Sequence, residues 1–262
     1  KFADIWYFAL ELIFNKFPQI VTFLTLGIVV FNSKVSDWFS NLYTNSFNIP
    51  SYRGVSLIIF LTALLVSNFS SYLNHRIAHN IPFLWDLHEL HHSPTEMTML
   101  SKDRSTPFDG IFFQTVSLPL DVFCSLLIAH YMKEGFILPL IIYILFFCLD
   151  GIHSTVGHSS FELTYPKPFN YILMSPSLHW IHHSTNPKHF RSNYGNTLCI
   201  WDRIFNTYLD ETNIQNIKSY GFKNSEYNKH HPIYSMMFLP IIKMKKRLVR
   251  MSKRLRRKFS YQ

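Results

Sequence analysis

Four apolar stretches alternate with polar ones along the chain. The first covers residues 5–31, is broken by Glu11, Lys16 and Pro18, and is uncharged over 17–33. The second, 54–74, contains no charge and includes the run LIIFLTALLV. About 20 apolar helical residues match the roughly 30 Å hydrocarbon core of a bilayer, so 54–74 predicts a transmembrane helix. It runs directly into His75 and His79. The third and fourth stretches are 111–132, interrupted by Pro119 and Asp121, and 135–152, uncharged as far as Leu149. Only Lys133 and Glu134 separate them, and so short a connection makes a hairpin that returns the chain to the side it left. The polar segments 75–110 and 153–230 then share one compartment. The pattern predicts an all-α integral membrane protein, a single unit over 1–262. It has about four transmembrane helices (5–31, 54–74, 111–132 and 135–152) under a helical cap built from 75–110 and 153–230. A soluble all-helical protein with 111–149 as its core hairpin is the alternative.

Composition moves the balance towards the membrane. Of the 262 residues, 48% are hydrophobic and only 16% charged, with 25 Phe, a greasier mixture than soluble domains carry. The net charge of +9 would suggest nucleic acid if the cations formed a stripe, but 17 of the 25 Lys and Arg follow His153 and crowd into a tail over 243–258. That distribution argues against nucleic acid. It places the histidine side and the tail at the cytoplasmic face of a bacterial inner membrane or endoplasmic reticulum, with the tail able to lie against anionic head groups. The non-cytoplasmic loop between the first two stretches, before Gly54, offers just Lys34 and Arg53, in agreement. Cys124, Cys148 and Cys199 are far apart, indicating neither a disulfide framework nor a thiolate zinc site, and are expected as buried thiols. No cleavable signal pattern or solenoid repeat is visible.

The polar segments carry the chemistry. They contain the pair His75-x-x-x-His79 and two copies of HxxHH, His88 to His92 and His179 to His183. With 14 His in the chain, chance supplies about 0.04 such triplets. Helical residues three and four apart share a face, so each motif is expected to aim all its rings at one point. Neutral imidazole suits iron, zinc, copper and nickel rather than calcium or magnesium. His75, His79, His88, His91, His92, His179, His182 and His183 are too many for one ion, and two ions close together would use them. Glu89 lies inside one motif, but its position next to His88 turns it off the ligand face.

The ordered set of HxxxH, HxxHH, the block SPSLHWIHHS at 175–184, Asn193-Tyr-Gly195 and WDRIFNT at 201–207 resembles the fatty acid hydroxylase and sterol desaturase superfamily. The superfamily consists of integral membrane di-iron oxygenases. The likeness spans roughly residues 68–208 and is nearest to the alkylglycerol monooxygenase-like and bacterial sterol desaturase branches. It implies a further ligand about twenty residues before the last HxxHH, which His158 matches. His153, five residues earlier and turned by about 140° on a helix, is left in a supporting role. Asp202, Asn193 and His153 are the candidates for holding ligand imidazoles or shaping the site. Asp86 and Asp103 have the same ambiguity, and His189 is a further candidate ligand. Arg76 is expected to snorkel at the membrane boundary. Two departures stand out: Asn206 where glycine is usual, and Arg104-Ser-Thr-Pro107 where the family pattern reads Arg-x-His-Pro.

The resemblance implies two iron ions, replaceable by zinc in a purified sample, held by these nine histidines. O2 would be co-substrate, and an alkyl C–H bond of a fatty acyl, sterol or alkyl-ether lipid would be hydroxylated or desaturated. No nucleotide fingerprint is present, which implies a separate electron donor of reductase, cytochrome or ferredoxin type. Two alternatives use the same histidines. A membrane zinc hydrolase would need Glu89 as general base, and a metal-binding or transport protein would need polar residues in the spans, where Asp121 stands nearly alone.

Overall fold

Residues 2–16, 27, 32–47, 53–222 and 225–259 are described by the structure, a computed structural model. Three helices carry three of the four expected spans: α3 (Arg53–Asn80), α5 (Pro107–Lys133) and α6 (Leu138–Gly157). They follow α1 (Phe2–Glu11), which continues as the π-helical turn Leu12–Lys16, and α2 (Ser33–Phe47). Among the described residues there is no strand, and three helices are long and apolar enough to cross a membrane. The second half of the first expected span, 17–26 and 28–31, lies outside the described residues.

Exposed apolar surface marks the lipid-facing sides. Ile58, Leu65, Ile111, Val116, Ile141, Leu145, Phe147 and Ile152 are all exposed. A belt of that kind on consecutive long helices fits a bilayer and would be a liability in water. Cys148 lies on this surface, correcting the expectation of three buried thiols, whereas Cys124 and Cys199 are buried. The spans hold together at the end away from the histidines, where Phe39 and Tyr43 of α2 join Phe60, Cys124, Leu127 and Tyr131 in one core. Ser36, Phe39 and Tyr43 recur at helical spacing on the buried face of α2, so a helix stands where the sequence suggested a plain connection.

Local chemistry fixes the helix ends that matter to the site. Thr106 caps α5 by accepting from the Asp109 amide at 3.0 Å, with Pro107 opening the first turn. Thr106 occupies the position where the superfamily pattern has histidine. Gly135, at φ 68°, closes α5; its amide donates to the Met132 carbonyl at 3.0 Å and the Phe136 amide to that of Tyr131 at 2.8 Å. This Schellman closure makes the tight hairpin. At 28 residues, α3 is about 42 Å long, which exceeds the hydrocarbon thickness. The excess leaves room for turns beyond the lipid, and His75 and His79 lie in the last two turns of the helix.

The histidine side is built from short helices, α4 (Pro82–His88), α7 (Pro176–His183), α8 (Ile200–Ile204) and α9 (Pro232–Met237), ending in the long α10 (Leu239–Phe259). Tyr7, Leu10, Leu90, Tyr227, Met236 and Leu239 form its core against α1. Arg104, buried, joins three parts of it: it donates to Asp4 at 2.6 Å, Ser93 at 3.0 Å and Asn228 at 2.8 Å.

Candidate metal centre

All nine sequence-predicted histidines meet at the ends of α3 and α6. They form two groups of four side by side: His75, His79, His92 and His182, and His91, His158, His179 and His183. Within each group the ring nitrogens lie within 4.8 Å of one another, and His88 sits with His91 and His92 between them. The parallel rings of His92 and His183, 4.3 Å apart, join the two groups.

The expectation that each HxxHH aims at one point is corrected. His91 and His92 go to different groups, as do His182 and His183. Adjacent residues on a helix differ by about 100°, so the doubled histidine is the device that serves two centres at once. The first triplet is not wholly helical either. His88 ends α4, and His91 and His92 follow in i→i+3 turns to the carbonyls of His88 and Glu89.

Hydrogen bonds at Nδ1 orient several rings. His75 donates to the Tyr194 carbonyl at 2.8 Å, His182 to Ser192 at 2.7 Å and His158 to Ser154 at 2.9 Å. His88 Nδ1 lies 2.9 Å from the buried carboxylate of Asp109. With the proton at Nδ1, Nε2 carries a bare lone pair. The Nε2 atoms of His75, His79, His88, His92 and His182 are buried without a partner. In the second group, His158, His179, His183 and His91 face one another through Nε2 at 3.1–3.3 Å. Buried polar atoms are rarely left orphaned, and imidazoles sharing an ion of about 2.0–2.1 Å bond length would converge in this way. The donor set therefore fits two borderline metal ions.

Electrostatics prepares the same state. Burial, reinforced by neighbouring histidines, holds His91, His92, His179 and His183 well below the ordinary imidazole value. Burial also lowers His158 to about 4 and His182 to about 3. These rings are neutral at pH 7, as metal ligation requires.

The supporting residues sort differently from the expectations. Asp202 touches no imidazole; it accepts from the backbone amides of Tyr194 and Gly195, each at 2.8 Å, and from the Thr207 hydroxyl at 2.7 Å. It thereby presents the Tyr194 carbonyl to His75. Burial raises its pKa to about 6. Asn193, at φ 53°, bonds the backbone of Leu178 and Leu209 and so ties α7 to the following loop. His153 stands outside both groups, held by the Leu149 carbonyl at 3.0 Å and the Tyr165 hydroxyl at 3.2 Å. His189 is buried but also outside them. Asp86 forms a bidentate pair with Arg247, and Glu89 meets Lys243 at 2.6 Å, turned away from the rings as its position predicts. Arg76 donates to the Tyr72 hydroxyl at 3.2 Å and lies over Phe205. Asn206 has φ 55°, the left-handed conformation that asparagine tolerates better than most residues; this explains the glycine usual there.

Asp109 is the functional residue that sequence reasoning missed. Thr106-x-x-Asp109 before an apolar run reads as a helix-capping signal, and nothing in it announces a carboxylate that also faces His88.

The profile of the fatty acid hydroxylase family matches residues 60–207, which contain all nine histidines. The chain belongs to the fatty acid hydroxylase family. Among its curated relatives, an alkylglycerol monooxygenase of Caenorhabditis elegans is 28% identical over 67% of this chain and 31% of its own length. The ornithine lipid hydroxylase OlsE of Rhizobium tropici is 27% identical over 55% of this chain and 40% of its own. The fatty acid hydroxylase vlmA of a Lecanicillium species is 30% identical over 59% and 43% respectively. The chain thus spans less than half the length of these relatives. No solved structure matches it. The match covers the last three-quarters of α3, the hairpin and the cap as far as Thr207, leaving α1, α2, α9 and α10 outside the family region.

Proposed function

We propose that this fatty acid hydroxylase family member is a membrane di-iron oxygenase that hydroxylates or desaturates an alkyl C–H bond of a lipid. The observation that carries the reading is the pair of four-histidine groups, with buried and unpartnered Nε2 atoms, at the ends of apolar helices. His75, His79, His92 and His182 would hold one ion and His91, His158, His179 and His183 the other, with His88 available between them. Iron, when bound, supplies the redox chemistry that uses O2 and two external electrons to oxidise the lipid, in hydroxylation leaving one oxygen atom in the product and the other in water.

The chain's own residues orient, wall and dry the site. The carbonyls of Tyr194, Ser192 and Ser154 and the Asp109 carboxylate fix the ring tautomers, which raises ligand basicity and fixes geometry. Trp85 packs its ring 4.9 Å from His79 and 5.3 Å from His92, closing one side. Phe113, on the span α5, lies 6.4 Å from His75 and 5.9 Å from His88. It forms an apolar wall between the site and the bilayer, where an alkyl chain would approach without crossing water. The relatives' names point to alkylglycerols, ornithine lipids and fatty acids as substrate classes, and a separate electron donor is part of the proposal. The excess of cations after His153 supports a cytoplasmic site.

Glu89 argues against the zinc hydrolase alternative, because the carboxylate it needs is engaged by Lys243 outside the site. The test is oxygen consumption by iron-loaded protein in nanodiscs with a chemical reductant and a total lipid extract, followed by mass spectrometry of the lipids. Gain of 16 mass units, or loss of 2, in one lipid class is the expected result. Two bound irons with an unchanged lipid profile across broad extracts would remove the oxygenase reading.

A further inference from the structure

Helix α10 has two faces whose chemistry the metal site does not use. Lys243 meets Glu89 at 2.6 Å, and Arg247 pairs with Asp86 through bonds of 2.6 and 2.7 Å. These contacts dock α10 on the segment that carries His88, His91 and His92. Next to that docked face, Ile241, Met244, Leu248 and Met251 recur at the spacing of one helical stripe. Ile241, Leu248 and Met251 are about half exposed, at 48%, 54% and 53%. Exposed Lys245 and Arg256 border the stripe on its free side, and further cations continue around the helix.

An exposed apolar stripe edged by cations is the signature of a helix lying in a membrane interface. Charge complementarity selects anionic head groups as its partner; a water-soluble acidic protein would use the cations and leave the stripe wet. The neighbouring surface continues the pattern. On α1, which shares a core with α9 and α10, Phe2, Ile5 and Trp6 are exposed at 77%, 55% and 44%, and Trp favours the head-group level. The ends of α3 and α6, which deliver the histidines, fix this side of the molecule at the bilayer boundary.

We propose that α10 is an interfacial helix that seats its apolar stripe among anionic lipid head groups and, through Glu89 and Asp86, anchors the His88–His92 segment at the bilayer surface. The full chain in nanodiscs tests this by site-directed spin labelling. Cys148→Ser removes the exposed thiol, and labels are placed one at a time at Leu248→Cys, Met251→Cys, Lys246→Cys and Arg250→Cys. In discs containing phosphatidylglycerol, the labels at 248 and 251 are expected to collide more with dissolved oxygen than with a water-soluble nickel chelate, and those at 246 and 250 the reverse. Lys245→Gln with Arg256→Gln should lower the docked-to-undocked ratio about 25-fold, at about fivefold per cation near the surface. Phosphatidylcholine-only discs should reduce the contrast similarly. Hydrogen exchange of residues 86–92 should slow in anionic discs and lose that protection in Asp86→Asn with Glu89→Gln. Equal nickel access at all four labels, or a contrast indifferent to head-group charge, overturns the lipid contact. Exchange at 86–92 that ignores lipid and ion pairs alike overturns the anchoring. Neither measurement depends on bound metal or turnover, so failure here is distinguishable from failure of the oxygenase reading.

Discussion

Replacing Asp109 separates a ligand-orienting carboxylate from a mere helix cap. Its Oδ2 lies 2.9 Å from His88 Nδ1, with both side chains almost fully buried, at 7% and 6% exposure. Loss of an imidazole's outer hydrogen-bond partner costs about 10–100-fold in metal affinity, or about 1.4–2.7 kcal/mol. That range agrees with the roughly 1.5–3 kcal/mol of a buried hydrogen bond to a charged group. Asp109→Ala should therefore weaken binding of one metal equivalent by about 10–100-fold. Asp109→Asn keeps an acceptor for the Nδ1–H and should lose about fivefold, near 1 kcal/mol. The cap itself survives both changes, because Thr106 accepts from the residue 109 backbone amide. The assay is competition against a chromophoric chelator with the purified protein in nanodiscs, alongside metal content per chain. Asp37→Asn, which breaks an exposed pair with Lys133 at the far end of α5, serves as the control. Two equivalents bound by Asp109→Ala with wild-type affinity would refute the orienting role, and a loss in Asp109→Asn as large as in Asp109→Ala would refute its hydrogen-bond origin.

Other substitutions divide the histidines. His158→Ala should lose at least one metal equivalent, whereas His153→Phe should retain both, as metal analysis of the two purified variants would show. The metal-free protein should lose stability as pH falls below 6.5. His91, His92, His158, His179, His182 and His183 stay neutral while the unfolded chain takes up protons, with a slope of up to about 1.4 kcal/mol per pH unit for each ring. The window reaches to about 4 for His158 and about 3 for His182; urea titrations giving equal stability at pH 7 and 5 would contradict it. Gly195→Ala should lower the unfolding midpoint by an amount equivalent to about 1–3 kcal/mol of overpacking. The added Cβ would stand 2.3 Å from the Leu198 carbonyl oxygen and 3.0 Å from Asp202 Oδ2. A thermal melt matching wild type would show that the loop has room.

The sequence determined the spans, the hairpin and the identity of the clustered histidines. Uncharged length, turn length and ligand spacing are local properties, written in consecutive residues. Residues 54–74, 111–132 and 135–152 lie within or almost wholly within the observed helices, and His158 joins the centre as the resemblance implies. Tertiary structure decided how the rings are shared. Spacing cannot tell which side of a helix meets which neighbour, so the division of His91 from His92 and of His182 from His183 appears only once α3, α4, α6 and α7 converge. The same limit hid Asp109 behind a capping pattern and placed Asp202 one hydrogen bond further from the rings than expected. It also concealed the docking of the basic tail on Asp86 and Glu89. Carboxylates acquire such roles from partners distant in sequence, whereas a helical face or an apolar run is specified by its own residues.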